Sequence, residues 1–408
     1  MDSVNVAFIG QGGRGFGLMN MVLDTMPDVN VIGVCDLYED RVERAKNAVI
    51  EKRGITPYAT TDYHELLAKP EIDAIATYDF AEILNDDTID TVVECMGGLH
   101  PAYEYVSAAL KAGKNVVSAN KALIAAYYTE LIALAKENGA ALRCTAAVGG
   151  GIPWLVNLER CKRLDTVCEL GGIMNGTSNY ILDAMQRNGE DFDAVLKKAQ
   201  ELGYAEADPS ADIDGDDIRR KLAISANIAF DAALVEEDIP TCGIRYVTKA
   251  DIERFKAHGF ACKLLAKAER TEGGICAYIE PTLVGQAEPE AAVPANFNRI
   301  TYGAERIGQQ SFFGQGAGRF PTAANVVQDC LDILQGKTAF YSGSAVPAAL
   351  DCCEAHPYYV RCDAPDEWLR GVIAEEWAEG CCVTGAVTCD RMIGWAKEHP
   401  GCFIAGIR

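Results

Sequence analysis

The chain has 408 residues, 59 of them acidic and 37 basic, for a formal net charge of −22, with 49% hydrophobic and 24% charged residues. That acidic balance argues against nucleic acid as a partner; no stretch reaches the roughly 18 uncharged apolar residues that span a bilayer; and the length exceeds one core, asking for two domains and a small third. The opening MDSVNVAFIG has no basic n-region or cleavage pattern, so a cytoplasmic protein is expected, and the sixteen cysteines, scattered without CxxC or zinc-type spacing, read as reduced thiols acting as small hydrophobes.

Val4 to Ile9 reads as a strand and runs directly into Gly10-Gln11-Gly12-Gly13-Arg14-Gly15, a GxGxxG fingerprint. Its first glycine permits a tight turn. Its second admits a pyrophosphate to the backbone, and its third (Gly15) lets helix and strand pack closely. Val31 to Cys35 is a second strand, ending at Asp36. A carboxylate there accepts from a ribose 2′-hydroxyl and favours NAD over NADP. A glycine turn with Asp36 capping the next helix is the plainer alternative, and Arg41 is placed to accommodate a phosphate, so the choice between NAD and NADP stays open at this level.

Two echoing segments follow, Asp62-Tyr63-x-Glu65-Leu66-Leu67 with Ile72-Asp73, and Asp79-Phe80-x-Glu82-Ile83-Leu84 with Ile89-Asp90. They read as two helix-then-strand units. Thr91 to Met96 is a third strand, ending at Gly97 and Gly98, and Asn115 to Ser118 a fourth. Between these two, Pro101 suits a first helical turn, Tyr105, Val106, Ala109 and Leu110 form an apolar stripe, and Gly113 stops it. This rhythm predicts a Rossmann-type, doubly wound parallel sheet with right-handed crossovers. Lys121, just past the fourth strand, then stands where such sheets bind ligands. It can meet a nicotinamide or a substrate carboxylate, or be a solvated surface lysine.

From Gly149 to about Arg299 longer helices mix with strands, as in an α+β domain. Residues 203 to 221 place six carboxylates in a loop ahead of a helix that begins near Asp214 or Asp216, where Asp is a good cap. Such a cluster repels itself unless a metal, a ligand ammonium or nearby Arg and Lys neutralise it; the spacing does not fit an EF-hand. Asp217 and Lys221 fall one turn apart on a stripe continued by Ile224 and Ile228. A lysine so held is a candidate proton donor, although a routine helix ion pair has the same spacing. A glycine loop and a helix from Pro321 to Leu334 come next, and the tail after about Val346 is irregular and holds seven cysteines.

Taken together these segments resemble homoserine dehydrogenase, over roughly residues 79 to 340. The motifs that carry the likeness are Glu94-Cys95-Met96-Gly97-Gly98, Ser118 through Leu123, Val148 through Pro153, Asn175 through Tyr180, Gly203 through Lys221 and Gly314 through Ala323. The resemblance implies reversible NAD(P)-dependent reduction of L-aspartate 4-semialdehyde to L-homoserine, a step toward threonine, methionine and isoleucine. By resemblance Lys221 is the proton donor, supported by Asp217 and Lys121. Glu206, Asp212, Asp217, Thr177, Gly176, Tyr204 and Lys121 hold the substrate. The cofactor falls to Gly10, Gly12, Gly13, Gly15, Asp36, Gly97, Ser118, Lys121, Gly203 and Gly316. A monovalent cation would rest on the carbonyls of Val148, Gly150 and Ile152, with Thr145 standing where the family usually carries a glutamate.

The expected layout is a dinucleotide domain over 1–148 with 305–340 packing back on it, a substrate and dimerisation domain over 149–304, and a small appendage over 345–408. In that appendage His356 through Arg361 and Phe403 through Ile407 resemble pieces of an amino-acid-sensing domain. A homodimer or higher homo-oligomer acting on a small molecule, with no membrane partner, follows from the resemblance. A sugar- or inositol-type dehydrogenase and a non-catalytic NAD-binding regulator are the competing readings.

Overall fold

The computed structural model describes residues 4–72, 74–76, 80–337, 349–352 and 354–408. The chain divides into two compact units. The first comprises the chain up to Leu123, Glu130–Ala146 and the segment from Gly318; the second comprises Ile124–Thr129, Ala147–Ala317 and the tail.

In the first unit β-branched runs form parallel strands. One four-stranded sheet has the order Tyr58–Thr60, Val29–Cys35, Val4–Ile9, Ala74–Ala76, and a three-stranded one has the order Thr91–Glu94, Asn115–Ser118, Leu142–Arg143. The strand Val4–Ile9 is flanked on one side by the second strand in sequence and on the other by the fourth. Strand order therefore reverses there, which is where doubly wound sheets open a ligand crevice. The helix Gly13–Thr25 buries Met19, Val22 and Leu23 against Val31 and Val34, and the next helix, Glu39–Arg53, adds Val42, Ala45 and Val49 to the same cluster. Helical spacing on one layer and alternation on the other make that core, and each such buried side chain contributes on the order of 1.5–3 kcal/mol.

Both halves of the echoed segment form as helix then strand: His64–Leu67 before Ala74–Ala76, and Phe80–Asn85 before Thr91–Glu94. Asp73 and Asp79 of that echo lie outside the described residues, as does Cys353. The helix Ala102–Lys111 buries Val106, Ala109 and Leu110, with Pro101 one position earlier than expected, as its cap, and Gly113 following at φ +75°.

The second unit is built on a nine-stranded sheet. Its order is Gly308–Gln315, Phe297–Ala304, Val167–Ile173, Phe260–Arg270, Ile275–Gly285, Phe403–Ile407, Tyr358–Arg361, Cys381–Thr384, Ile373–Ala378. Its pairs are antiparallel except Ile275–Gly285 with Phe403–Ile407. Two expectations are corrected here. Residues 305–317 do not go with the first unit, because Gly308–Gln315 pairs along its whole length with Phe297–Ala304; only the segment from Gly318 returns. Nor is the tail irregular. It runs Tyr358–Arg361, helix Glu367–Val372, Ile373–Ala378, Cys381–Thr384, helix Cys389–Glu398, Phe403–Ile407, a β-α-β-β-α-β unit of the ferredoxin-like kind. Its short strands, each four to six residues, hide their alternation from a sequence reading.

No helix among the described residues is long and apolar enough to cross a membrane.

Candidate active site

The fingerprint of the first unit does what its spacing demands. Gly10 ends the first strand at φ +86°, a conformation open to glycine. A Cβ on Gly15 would lie 1.9 Å from the Gly10 carbonyl oxygen, so helix and strand can approach only if that residue is glycine. Gly12 caps the helix in extended conformation and Gly13 is its first residue. A cavity of about 600 Å³ opens beside them, lined by Gly10, Gly15, Glu94, Met96, Ala119 and Arg319 among others. These features fit a dinucleotide: a glycine-lined helix N-terminus for the pyrophosphate and a cavity at the carboxyl ends of parallel strands.

Asp36 is buried. One of its carboxylate oxygens accepts from Gln11 N at 2.5 Å, and the other accepts from Tyr38 N at 3.1 Å and lies 3.7 Å from Arg41 Nη1. Arg44 donates to the Gln11 carbonyl. The carboxylate thus fastens the glycine loop to the end of the second strand. Ser118 is drawn inward: its hydroxyl donates to Glu94 Oε2 at 2.6 Å, while Glu94 Oε1 accepts from Met96 N at 2.6 Å. Burial raises the Glu94 carboxyl above its ordinary range against those hydrogen bonds. Asn120 joins this group, donating to the Gly98 carbonyl at 2.8 Å and accepting from Leu123 N to cap the helix that Lys121 opens. Gly97 is exposed, next to the cavity-lining Met96.

In the second unit the acidic loop resolves into separate pairings. Asp214 binds Arg245 at 2.5–2.7 Å, Asp216 lies 3.0 Å from Arg219, and Asp208 accepts from Ser210 N. Of the remaining three, Glu206 is exposed, and Asp212 and Asp217 meet inside the fold. Asn175 Nδ2 donates to Asp212 Oδ1 at 2.6 Å and to Asp217 Oδ2 at 2.7 Å. Lys221 Nζ lies 2.8 Å from that same Asp217 oxygen and donates to the Met174 carbonyl at 2.8 Å. Lys221 and Asp217 are only 5% and 4% exposed. Burial first, and the nearby Asp217 second, raise the Asp212 carboxyl above its ordinary value.

The helix carrying Lys221 begins at Asp216, as expected, but an aspartate is not its cap. Gly215 at φ +94° is its cap, with no side-chain hydrogen bond, and Asp216 and Asp217 occupy the first turn. Asp217 is thereby turned inward as a partner for Lys221 instead of capping the helix. The Asn175 carbonyl oxygen of the amide side chain meanwhile accepts from Ser178 N, capping the neighbouring helix Gly176–Asn188. One side chain so fixes a helix start and two carboxylates.

Thr177 Oγ1 donates to the Tyr204 carbonyl at 2.6 Å, and the Tyr204 ring meets Tyr180 edge to face. Gly176 is sterically required, since a Cβ there would lie 2.7 Å from the Asn296 carbonyl oxygen, and Gly203 sits at φ +74°. Glu206 is exposed, and among the described residues it is not brought into the Asn175–Asp212–Asp217–Lys221 network. Val148, Gly150 and Ile152 are buried, and the Ile152 carbonyl already accepts from Trp154 N at 2.7 Å. In the first unit the Thr145 hydroxyl is committed to Asp329 Oδ1 at 2.7 Å.

Sequence reasoning passed over Asn175 as a linking residue, the Glu94–Ser118–Asn120 network, and Asn298. Asn298 is fully buried, its amide has no partner among the described residues, and a Cβ on Gly316 would lie 2.0 Å from its Nδ2. Its signal was an Asn at an inward position of the strand Phe297–Ala304, in phase with Ile300.

Both units match known proteins. A model described as homoserine dehydrogenase, NAD binding domain, matches residues 10–145, and one described as homoserine dehydrogenase matches residues 153–331. A homoserine dehydrogenase of Lactococcus lactis is 37% identical over 333 residues, 82% of this chain and 74% of that protein. The crystal structure of a homoserine dehydrogenase from Thiobacillus denitrificans superposes with a TM-score of 0.78 at 28% identity, covering 100% of this chain and 98% of the other. A hyperthermophilic archaeal homoserine dehydrogenase mutant in complex with NADPH gives a TM-score of 0.61 at 25% identity, over 82% of this chain and 98% of the other.

Proposed function

From the premise that this chain belongs to the homoserine dehydrogenase family of NAD(P)-dependent oxidoreductases, we propose that the buried pair Lys221–Asp217 is its proton-transfer centre. We propose too that Asp212 and Asp217 receive the ammonium of the amino-acid substrate. The observation that carries this reading is the buried network itself: two carboxylates joined through the Asn175 amide, one of them 2.8 Å from Lys221 Nζ, an anionic setting that suits a substrate ammonium.

A nicotinamide cofactor, held by the Gly10–Gly15 turn and Asp36, would supply or take the hydride. The chain's own residues handle the rest. Lys221 Nζ gives a proton to the oxygen that becomes an alkoxide, or takes it back in the oxidative direction. Asp217 and the Met174 carbonyl fix the direction of that ammonium, and Asn175 fixes Asp217 in turn. Thr177, Gly176, Tyr204 and Glu206 complete the substrate side by resemblance; for Glu206 this needs the exposed side chain to turn toward the ligand. Lys121, Gly203 and Gly316 keep cofactor roles on the same basis, and the packing of Gly316 on Asn298 supplies a second, structural reason for that glycine.

For the cofactor, Asp36 favours NAD: a ribose hydroxyl can donate to its remaining lone pairs, whereas a 2′-phosphate meets its charge. The residues that would hold a monovalent cation fit it poorly, since Thr145 brings no carboxylate and the Ile152 carbonyl is already engaged. Initial rates of L-homoserine oxidation with NAD and with NADP test the whole reading; absence of turnover with either, beside turnover of a polyol, would favour the sugar-type alternative.

A further inference from the structure

Three cysteines far apart in the chain meet in the second unit. Cys276 lies on the strand Ile275–Gly285, Cys352 follows Leu350, which forms a bridge with Ile275, and Cys389 opens the helix Cys389–Glu398. Their three sulfur atoms lie within 4.8 Å of one another. Cys276 and Cys389 are fully buried and Cys352 is half-buried, in a core with Tyr358, Val387 and Met392. These three thiols face one another instead of packing only against apolar side chains. Cys352 Sγ is 3.4 Å from the Ala277 carbonyl oxygen, and Cys389 Sγ 3.9 Å from that of Cys352. A carboxylate stands beside them as well, for Glu354 lies within 4.8 Å of the Cys276 sulfur and is steadied by Lys267 Nζ at 2.6 and 2.7 Å and by the Tyr278 hydroxyl at 3.1 Å.

We propose that Cys276, Cys352 and Cys389 bind one thiophilic divalent ion of the zinc type, with a water as the fourth donor and Glu354 beside Cys276 as an outer carboxylate. Tetrahedral zinc with Zn–S bonds of about 2.3 Å puts its sulfurs about 3.8 Å apart, within the observed spread. Charge favours a divalent over a monovalent ion. Three thiolates, Glu354 and Glu269 carry five negative charges, and a divalent ion with the Lys267 ammonium supplies three positive ones. Binding breaks the S–H bonds, forms three S–metal bonds and releases the thiol protons to solvent, with no change of oxidation state, so affinity rises with pH. Lys267 and Tyr278 act as outer partners that orient the carboxylate. The ion would pin the segment after Leu350 and the helix Cys389–Glu398 to the long strand Ile275–Gly285. It is a structural device of the tail, separate from the Lys221 network.

The test uses the full chain expressed in zinc-supplemented medium, then stripped with a chelator and titrated with cobalt(II). About one zinc per chain surviving gel filtration is expected, together with a sulfur-to-cobalt charge-transfer band that saturates at one equivalent and a Tm raised by zinc. Cys352→Ser and Cys389→Ser should each weaken cobalt binding at least tenfold, while Cys168→Ser, at a half-exposed position on the strand Val167–Ile173, should leave it unchanged. Wild-type protein that shows neither zinc nor a cobalt–thiolate band overturns the proposal whatever the variants do. Binding that survives both cluster substitutions overturns it too, as does a disulfide within the trio in protein purified without reductant.

Discussion

Asn175 and Lys221 converge on a single atom: the amide nitrogen of Asn175 and the ammonium of Lys221 lie 2.7 and 2.8 Å from Asp217 Oδ2. Asn175 comes from the cap of one helix and Lys221 from the second turn of another, so the oxygen they share locks two elements in register. Asn175 is therefore a positioning residue. Asn175→Ala removes a cap, costing about 1 kcal/mol of stability, and lets Asp212 and Asp217 repel without a bridge. We expect kcat for homoserine oxidation to fall by about tenfold to a hundredfold, with KM for homoserine raised and the Kd for the nicotinamide cofactor unchanged. Asn175→Asp, which restores the cap but adds a third negative charge, should not rescue turnover. A variant with lowered stability and normal kcat would reduce Asn175 to a cap.

Burial raises the Asp212 carboxyl, with Asp217 adding to the effect. The sign follows from linkage. A raised native pKa means the folded state binds the proton more tightly than the unfolded state, so stability from this group is present at low pH and falls as pH rises through the raised value. Substrate binding runs the other way, because only the ionised form attracts an ammonium. KM for homoserine should climb on the acid side of the profile, and Asp212→Asn should flatten that limb, raise KM at neutral pH and stabilise the free protein at neutral pH. A wild-type acid limb retained in Asp212→Asn would assign the titration elsewhere.

The placement of Asp36 gives a prediction about cofactor choice. Asp36→Ala releases the Gln11 and Tyr38 amides it now accepts from, so the glycine loop loosens as the ribose contact is lost. kcat/KM with NAD should fall by about tenfold to a hundredfold, the worth of one or two charge-assisted hydrogen bonds, and the ratio of NAD to NADP efficiency should drop. Arg41→Ala should lower efficiency with NADP more than with NAD. A wild-type enzyme that prefers NADP strongly would reverse the assignment of Asp36.

Lys263 offers a test of packing by pH. It is buried, donating to Asn179 Oδ1 at 3.0 Å and to the Val293 carbonyl at 2.9 Å, and burial lowers its pKa from 10.5 to about 8. The unfolded state then binds the proton more tightly between those two values, so the lysine costs stability below about pH 8 and the cost fades as pH rises toward 10.5. Comparing wild type with Lys263→Met by denaturant unfolding, the difference should move in favour of wild type by up to about 3 kcal/mol between those limits. A pH-independent difference would mean that Lys263 titrates normally.

Much of the architecture could be read from residues alone, because local rules and tertiary packing agree there. The GxGxxG turn, the strand ending at Asp36 and the one-turn spacing of Asp217 and Lys221 need no information from distant parts of the chain. What was illegible depends on partners far off in sequence. Asn175 bonds residues 37 and 42 positions away, and Arg245, 31 positions from Asp214, removes that carboxylate from the apparent acidic cluster. The cap of that helix fell to Gly215, not an aspartate, because the turn before Asp216 is left-handed. The tail looked shapeless because its strands are short and gain their order by joining the sheet through Phe403–Ile407 against Ile275–Gly285.

The central claim is that Lys221 moves the proton. Single-turnover oxidation of L-homoserine under saturating cofactor, in wild type and in Lys221→Ala, measures it most directly. The expected loss in the hydride-transfer rate is about 10²–10⁴-fold, with cofactor affinity and thermal unfolding of the variant monitored alongside. A Lys221→Ala protein that folds, binds cofactor and turns over within a fewfold of wild type would contradict the account.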